Sequence, residues 1–509
     1  MTDSPIAVDL VEKTVRLYYQ FDGMDQSRDI RALDIGKGQP FWKLENCHTN
    51  WRGEIERDPA IRKRLGSGDR RVQRTKFYER DAAMIVEEDG DGVHLRSGRG
   101  FLKEKQYPVG TSVSLTNFDN QLHLMAREHS MLRFDGSSLV QSAATIKPAF
   151  GTPITERLAV AGMSTYPREV HVSAVGNSDI MPLNNSFSST NVLRPATINV
   201  ARLIDSADSI TGLGSFAVDR LAILTQDQAI VYRMGVSVDD WNIDNTANVQ
   251  LGCVAANTIQ RVGQDLFFCS RQGVHSLSRN EDNGLTIRPL TLSDKIEDLY
   301  QSMIREIVDV DLMSAIYDQE NYDYHIFFPT KNADASMVMT VNTRLGYENL
   351  RWSTRTTNLM RCGDVLGGQF IVGARNGLYN VQDRVFFSAL NDEEQPEERG
   401  QMVIETPILW HGDIIKEKRV SGLVIQASGT AQITVEVYND TDILLATFSE
   451  RIEAIDNAPA FSGKTLAEEY KLPLNAIYRG VRLVIKTEDD GDCNIVAIGF
   501  DIVEEEIPV

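Results

Sequence analysis

From about residue 113 to 385 the chain repeats a strand–turn–strand unit, and this recurrence limits the fold more than any other feature. The stretch LFFCSRQGVHSL (266–277) aligns with FIVGARNGLYNV (370–381), placing Arg271 on Arg375 and Gly273 on Gly377. The same pattern recurs at LAILTQDQAIVYRM (221–234) and LHLMAREHSMLRF (122–134). YHIFFP (324–329) followed by MVMTVN (337–342) repeats it with a longer turn. Starts at 221, 266, 324 and 370 lie 45, 58 and 46 residues apart. That interval suits the blades of a β-propeller with insertions. A closed ring of blades buries each sheet against its neighbours, which favours it over a large sandwich of hairpins.

The rest of the chain divides around this block. Ser293 is a candidate N-cap for one amphipathic helix, with Ile296, Leu299, Tyr300, Met303, Ile304 and Ile307 on one face. The helix is expected outside the blades, as an insertion. From residue 401 onward, well-spaced strands with acidic turns predict a separate antiparallel β-sandwich. The acidic segment NDEEQPEERG (391–400) is the expected linker. The expected organisation is an N-terminal arm and docking region over 1–104, a propeller-like domain over 105–390 and a sandwich over 401–509. The fold class is therefore all-β.

Charge is distributed unevenly. The chain carries a net charge of -20, which argues against a general binder of duplex DNA. Residues 52–80 nevertheless hold ten basic and five acidic side chains. This segment reads either as a solvated face or as a surface that docks on an acidic partner, such as another copy of the chain. Arg57, Arg62, Lys63, Arg64, Arg70 and Arg71 are the interface candidates.

Enzyme motifs are not found. The sequence has no GxSxG elbow, Walker loop, HExxH or GxGxxG after a strand. Five scattered cysteines without a CxxC pair suggest neither a zinc site nor a disulfide framework. The acidic runs 87–92 and 488–492 do not follow the alternating calcium-loop pattern and read as solvated turns. No cofactor, metal or catalytic residue is expected. No apolar run is long enough for a transmembrane helix, and the acidic N-terminus does not read as a signal peptide. Synthesis in a cytoplasm is the expectation that follows.

One run carries a family resemblance. Residues 293–355 read SDKIEDLYQSMI, then LMSAIYDQENYDYHIFFP, then MVMTVNTR, then NLRWST. This order of helix, Tyr-Asp turn, aromatic strand ending in Pro, strand ending in Asn and Trp-Ser strand resembles the tail nozzle or packaged-DNA stabilisation proteins of short-tailed bacteriophages. VHVSAVGNSDIM (170–181), ITGLGSFAVDRLAILTQDQAIVYRMG (210–235) and the closing YRGVRLVIKT…CNIVAIGFDIV are similar to the same group, as is NWRGEIERDPAIRKR near the start. The resemblance implies a structural protein of the virion tail, made in the bacterial host. It implies a homo-oligomeric ring, usually a hexamer, beneath the portal and adaptor and near tail fibres or spikes. That ring would extend and close the DNA channel and let duplex DNA pass without binding it tightly. The competing expectation is a tail-associated propeller that binds or cleaves host-surface glycans, which requires a concave pocket with paired carboxylates and exposed aromatics.

Overall fold

A computed structural model describes residues 13–31, 39–79, 82–97, 100–182, 191, 193–244, 250–280, 286–307, 309–330, 336–356, 360–374, 377–381, 397–411, 414–453 and 467–503. The chain forms two compact units. One comprises Pro59–Tyr347 and Thr356–Glu398, the other Met1–Asp58, Glu348–Arg355 and Arg399–Val509.

The first unit is a β-propeller with seven blades among the described residues. Blade 1 runs through Arg71–Glu79, Ala82–Asp89, Gly92–Ser97 and Gly100–Tyr107. Blade 2 uses Val113–Phe118, Gln121–Ala126, Leu132–Phe134 and Leu139–Gln141, and blade 3 uses Phe150–Ile154, Arg157–Ala161, Glu169–Val172 and Ala196–Asn199. Blade 4 is Ile210–Phe216, Arg220–Thr225, Ala229–Arg233 and Asn242–Ile243; blade 5 is Gln260–Val262, Asp265–Cys269, Val274–Asn280 and Thr286–Thr291. Within this unit blade 6 consists of Ser314–Asp318, Asp323–Pro329 and Ser336–Asn342. Blade 7 has Cys362–Leu366, Gln369–Ala374 and Gly377–Val381, all antiparallel. The first strand of every blade packs against the first strands of the blades on either side, and blade 7 meets blade 1 in the same way. The ring is therefore closed around an axis lined by first strands.

Closure joins distant parts of the chain. The strand Ile61–Gly66 adds antiparallel to Gly377–Val381 as the fourth strand of blade 7, and Glu397–Glu398 pairs with its outer side. A sheet edge is thereby covered, and the two ends of the propeller's sequence are tied by backbone hydrogen bonds. Ile61 is fully buried beside Phe327, Val372 and Tyr379. Ile61→Ala is expected to cost about 2–5 kcal/mol, read as a lower urea midpoint with an unchanged slope. A loss under about 0.5 kcal/mol would show that this strand does not hold the ring.

The blades pack through clusters that alternate along their strands. Val72, Phe77, Ala83 and Ile85 of blade 1 meet Cys362, Ile371 and Leu378 of blade 7. Met125, Met131, Ala144 and Ile146 of blade 2 meet Leu158, Val160 and Met163 of blade 3. This period-two burial is what a sheet packed on both faces requires.

The helix Glu297–Glu306 lies in the connection between blades 5 and 6. Ile296, Tyr300, Met303 and Ile307 are buried, as the periodicity predicts, and the Tyr300 hydroxyl donates to the Ser270 carbonyl at 2.6 Å. Ser293 is not its N-cap. Its Oγ accepts from the Val274 N–H at 3.0 Å, and a short 3₁₀ turn over Asp294–Ile296 separates it from the helix. A Cβ on Gly273 would collide with that same Ser293 hydroxyl, so the glycine permits a close approach.

The second unit is a β-sandwich. One sheet has the order Arg351–Arg355, Lys43–Glu45, Val403–Glu405, Val481–Thr487, Gln432–Asn439, Leu444–Arg451. The other has Glu468–Leu472, Lys418–Gly429, Cys493–Val503, Ile55–Arg57 and Cys47–Thr49 in order. Lys13–Tyr19 also pairs with Cys493–Val503, and Ala476–Tyr478 with Lys418–Gly429. Ile433, Val435, Val437, Leu483 and Ile485 alternate inward from the first sheet, against Leu423, Ile425, Ile495, Ile498 and Phe500 of the second. The pairings are antiparallel except Arg351–Arg355 with Lys43–Glu45, which is parallel at Thr354 and Glu45.

Two expected boundaries change. The propeller begins at Pro59 and not at 105, because the strand at 61–66 and blade 1 belong to it. The described residues before 59 do not stand apart as an arm; their strands complete the sandwich that the sequence places wholly after 401. Most of the expected linker at 391–400 lies outside the described residues, and its end, Glu397–Glu398, joins blade 7. Arg375 of the repeat match also lies outside them.

Candidate functional site

The axis of the propeller is the one place to which all seven blades contribute. Its central cavity has a volume of about 380 Å³, within the usual range of a small-molecule site. Each first strand supplies part of the wall, for example Lys76, Thr116, Thr152, Ser215, Gln260 and Asp364. The wall is polar because first strands meet edge to edge around the axis, where backbone and short polar side chains substitute for an apolar core.

Hydrogen bonds link the blades across this wall. Thr116 Oγ1 donates to the Gly151 carbonyl at 2.9 Å, Gln260 Nε2 to the Ala315 carbonyl at 2.7 Å and Ser114 Oγ to Asn257 Oδ1 at 2.7 Å. Lys76 Nζ lies 3.0 Å from Asp364 Oδ1, while the Phe77 N–H donates to Asp364 Oδ2 at 2.8 Å. Arg74 is buried. Its Nη1 donates to the carbonyls of Gln73 (2.8 Å) and Leu312 (2.6 Å), and its Nη2 to those of Asp311 (2.8 Å) and Met313 (3.0 Å). Burial pushes the Arg74 guanidinium down to about 10, so it remains a cation at neutral pH.

The cavity continues toward both ends of the axis. At the start of the first strands, a 240 Å³ recess is lined by Gly110, Ser112, Arg127, Glu128, Asp309 and Asp311. Burial raises the Asp311 carboxyl above its ordinary value, with Arg127 opposing and Asp309 adding to the shift. At the other end, a 390 Å³ recess is lined by Asp119, Thr155, Glu156, Phe216, Val218 and Arg261. Acidic side chains outnumber basic ones at both mouths, whereas the lining of the central cavity includes Arg74, Lys76 and Arg261 and the single carboxylate of Asp364, which pairs with Lys76. That central lining contains no pair of carboxylates of the kind a glycosidase uses.

The basic segment does not form one surface. Arg57 is 2% exposed and its guanidinium is held by backbone carbonyls of the sandwich: Asp489 and Gly491 at 2.6 Å each, and Gly400 at 2.7 and 3.1 Å. As an interface residue, Arg57 is therefore corrected to a structural one. Arg70 is also engaged internally, 3.1 Å from Asp89 and 3.7 Å from the buried Glu87. Arg62, Lys63 and Arg64 lie on the closing strand of blade 7, with Arg64 exposed and the other two half-buried. Arg71 is exposed at the start of blade 1. Lys63, Arg64 and Arg71 thus remain accessible to a partner.

The run at 87–92 is a tight hairpin within blade 1. Asp89 Oδ1 accepts from the N–H groups of Asp91 (2.8 Å) and Gly92 (3.1 Å), and the His94 ring lies 2.9 Å from its other oxygen. Glu87 is buried between Arg70 and Arg96, so this part of the run is not solvated. Sequence reasoning missed the axial cavity altogether. Its residues come from seven separated strands and share no motif; the signal that could have found them is the residue content of each blade's first strand.

No family model and no curated protein matches the chain. Among solved structures, it is similar to the extracellular domain of a hybrid two-component system from B. thetaiotaomicron, at 9% identity and a TM-score of 0.40, over 84% of this chain and 55% of that one. It is also similar to a catalytically inactive virginiamycin B lyase from Staphylococcus aureus with quinupristin, at 8% identity and a TM-score of 0.38, over 63% of this chain and 97% of that one. A third is YCF48 bound to D1 peptide, at 12% identity and a TM-score of 0.36, over 65% and 96%. The chain thus spans about half the length of that extracellular domain, and its own sheets define it as an all-β protein with, among the described residues, a seven-bladed propeller, a β-sandwich and one inserted α-helix.

Proposed function

We propose that this chain is a structural subunit of a short-tailed phage tail, a nozzle protein that assembles into a ring and extends the DNA channel. The observation that carries the reading is the run from 293 to 355. Its helix, Tyr-Asp turn and aromatic strand ending in Pro resemble that family, and they fold consecutively as Glu297–Glu306 and the strands of blade 6. The axial cavity bears on how such a protein would work. At about 380 Å³ it is scaled to a small molecule, so a duplex would have to run between copies of the chain and not through one propeller.

A net charge of -20 suits a wall along which a polyanion slides, since a basic wall making several phosphate contacts would hold DNA in place. Repulsion of the backbone would act over about 8 Å at physiological salt. Retention of packaged DNA would then come from steric closure of the ring. Accessible Lys63, Arg64 and Arg71 would meet acidic surface on a neighbouring subunit or adaptor, steering and registering the contact.

The test is electron microscopy of the purified protein, alone and mixed with portal–adaptor complexes. Rings, or a ring-shaped layer added beneath the adaptor, are expected. Lys63→Glu with Arg71→Glu should weaken that assembly, most at low salt, while the thermal midpoint stays within 2–4 °C. Duplex DNA should bind no tighter than about 10⁻⁶ M at physiological salt. A protein that stays monomeric beside the portal complex, or that holds duplex DNA at nanomolar affinity, would overturn the assignment.

A further inference from the structure

We propose that one corner of the sandwich unit docks on an anionic lipid surface, with exposed isoleucines entering the bilayer and flanking basic side chains meeting its head groups. The inference concerns a single chain and goes beyond the nozzle reading. Ile414 is 57% exposed, Ile415 82% and Ile477 58%. Single exposed aliphatic side chains are ordinary on a folded protein, whereas a group of them marks an interaction surface. Ile477 stands on the outward phase of the strand Ala476–Tyr478, opposite the exposed Arg419, and the next residue, Tyr478, is buried. β-Propensity accounts for an isoleucine in that strand. It does not account for Ile414 and Ile415, which lie in a bend ahead of the strand Lys418–Gly429. At 82% exposure the Ile415 side chain projects from the surface.

Backbone contacts bring the two segments together. Lys418 Nζ lies 3.2 Å from the Lys416 carbonyl and 3.5 Å from that of Arg479. The bend is therefore beside the residues that follow Ile477. Lys416, Arg419 and Arg479 are exposed there, and Glu417 is the one acid of 414–419 and 476–479. Three exposed cations against one acid make this corner positive on a chain whose net charge is -20.

Composition selects the partner. Attachment to a membrane surface scales with the apolar area that enters the head-group boundary, and basic side chains add attraction to anionic lipid. Projecting isoleucines with lysine and arginine beside them supply both. The centre of a protein–protein contact favours aromatic residues and is depleted in lysine, which fits this corner less well. The acidic remainder of the chain opposes approach to an anionic bilayer. At physiological salt that repulsion is largely screened beyond about 8 Å, so a protein standing on this corner keeps most of its acidic surface out of range.

Co-sedimentation of the full chain with lipid vesicles tests the proposal. Vesicles of phosphatidylcholine with phosphatidylglycerol should bind it at least tenfold more tightly than phosphatidylcholine alone, since each basic side chain near the surface is worth about fivefold. Ile414→Ser combined with Ile415→Ser should weaken that binding tenfold or more. The thermal midpoint should stay within about 2 °C, because both positions are exposed. Lys416→Glu combined with Arg479→Glu should remove the preference for the anionic lipid. Failure to sediment with either vesicle would overturn the proposal, as would an isoleucine variant that binds like the wild type. Self-association that the isoleucine variant abolishes, without vesicle binding, would also overturn it and assign the corner to a contact between copies. Ring assembly is scored separately by microscopy, so this proposal and the tail reading fail independently.

Discussion

Arg57→Ala is expected to destabilise the sandwich by about 3–5 kcal/mol, a large part of the 5–15 kcal/mol typical of a folded domain. The Arg57 guanidinium reaches the carbonyls of Asp489, Gly491 and Gly400 from a fully buried position. Truncation leaves those carbonyls without their charged donor and opens a void where the longest side chain of the strand Ile55–Arg57 had been. Burial and the neighbouring Arg399 both lower the Arg57 pKa, yet the fork of donors offsets that cost. Arg57→Lys should recover less than half of the loss, because an ammonium cannot reproduce the planar fork. Urea unfolding of the two variants against wild type measures both effects. A residue serving only as a docking charge would change stability by less than about 0.5 kcal/mol, and that result would reject the structural role.

Acidification from pH 7 to pH 5 is expected to cost several kcal/mol before any carboxylate network fails. His123, His275 and His411 are fully or nearly fully buried. Burial is the largest cause of their shifts, pushing His123 and His275 down to about 4 and His411 to about 3. Their partners suit neutral rings. His123 Nε2 lies 2.8 Å from Ser178 Oγ, His275 Nε2 lies 2.8 Å from Ser270 Oγ, and His411 Nδ1 lies 2.8 Å from the Tyr18 hydroxyl.

In the unfolded chain these rings take up a proton near pH 6.5, while in the folded chain they do so only near 4 or 3. The unfolded state therefore binds more protons between those limits, and stability falls as pH falls through that window. At 1.36 kcal/mol per unit, each histidine contributes roughly 2 kcal/mol of loss by pH 5. Asp89 and Asp135, whose carboxyls are held well below the ordinary range by hydrogen bonds, lose their contribution only at lower pH. The two windows are thus separable. Denaturation midpoints at pH 7, 6 and 5 should fall progressively, and His275→Asn should flatten the slope for the propeller. Equal midpoints at pH 7 and pH 5 would show that the buried rings do not control acid stability.

Much of the fold is legible in the sequence because blade hairpins are local. Each of the five repeated units noted in the sequence is the second and third strand of a blade: 121–134 in blade 2, 220–233 in blade 4, 265–280 in blade 5, 323–342 in blade 6 and 369–381 in blade 7. Their alternation and short turns are written in adjacent residues, so strand pairing follows from them. Blade 1 is less legible because its hairpin, AAMIVEED followed by GVHLRS, adjoins the basic segment and shares no residue match with the repeated units. Blade 3 is less legible because its third strand, Glu169–Val172, is only four residues long and its fourth, Ala196–Asn199, follows at a distance in the sequence.

The amphipathic face of the helix is equally legible, while its N-cap is not. Ser293 has the right residue type, but its hydroxyl is taken by the Val274 N–H of the preceding blade, a contact set by tertiary packing.

By itself the sequence determined that this is an all-β chain of repeated hairpins with one helix and a sandwich toward its end, since periodicity and turn chemistry act over a few residues. Only the tertiary structure decided that residue 61 closes a ring with residue 381, that strands before residue 59 complete the sandwich, and that Arg57 serves carbonyls more than 340 positions away. The axial cavity is of the same kind: its lining residues lie on strands as far apart as 74 and 364. Their meeting depends on the closure of the ring, which no local pattern of residues encodes.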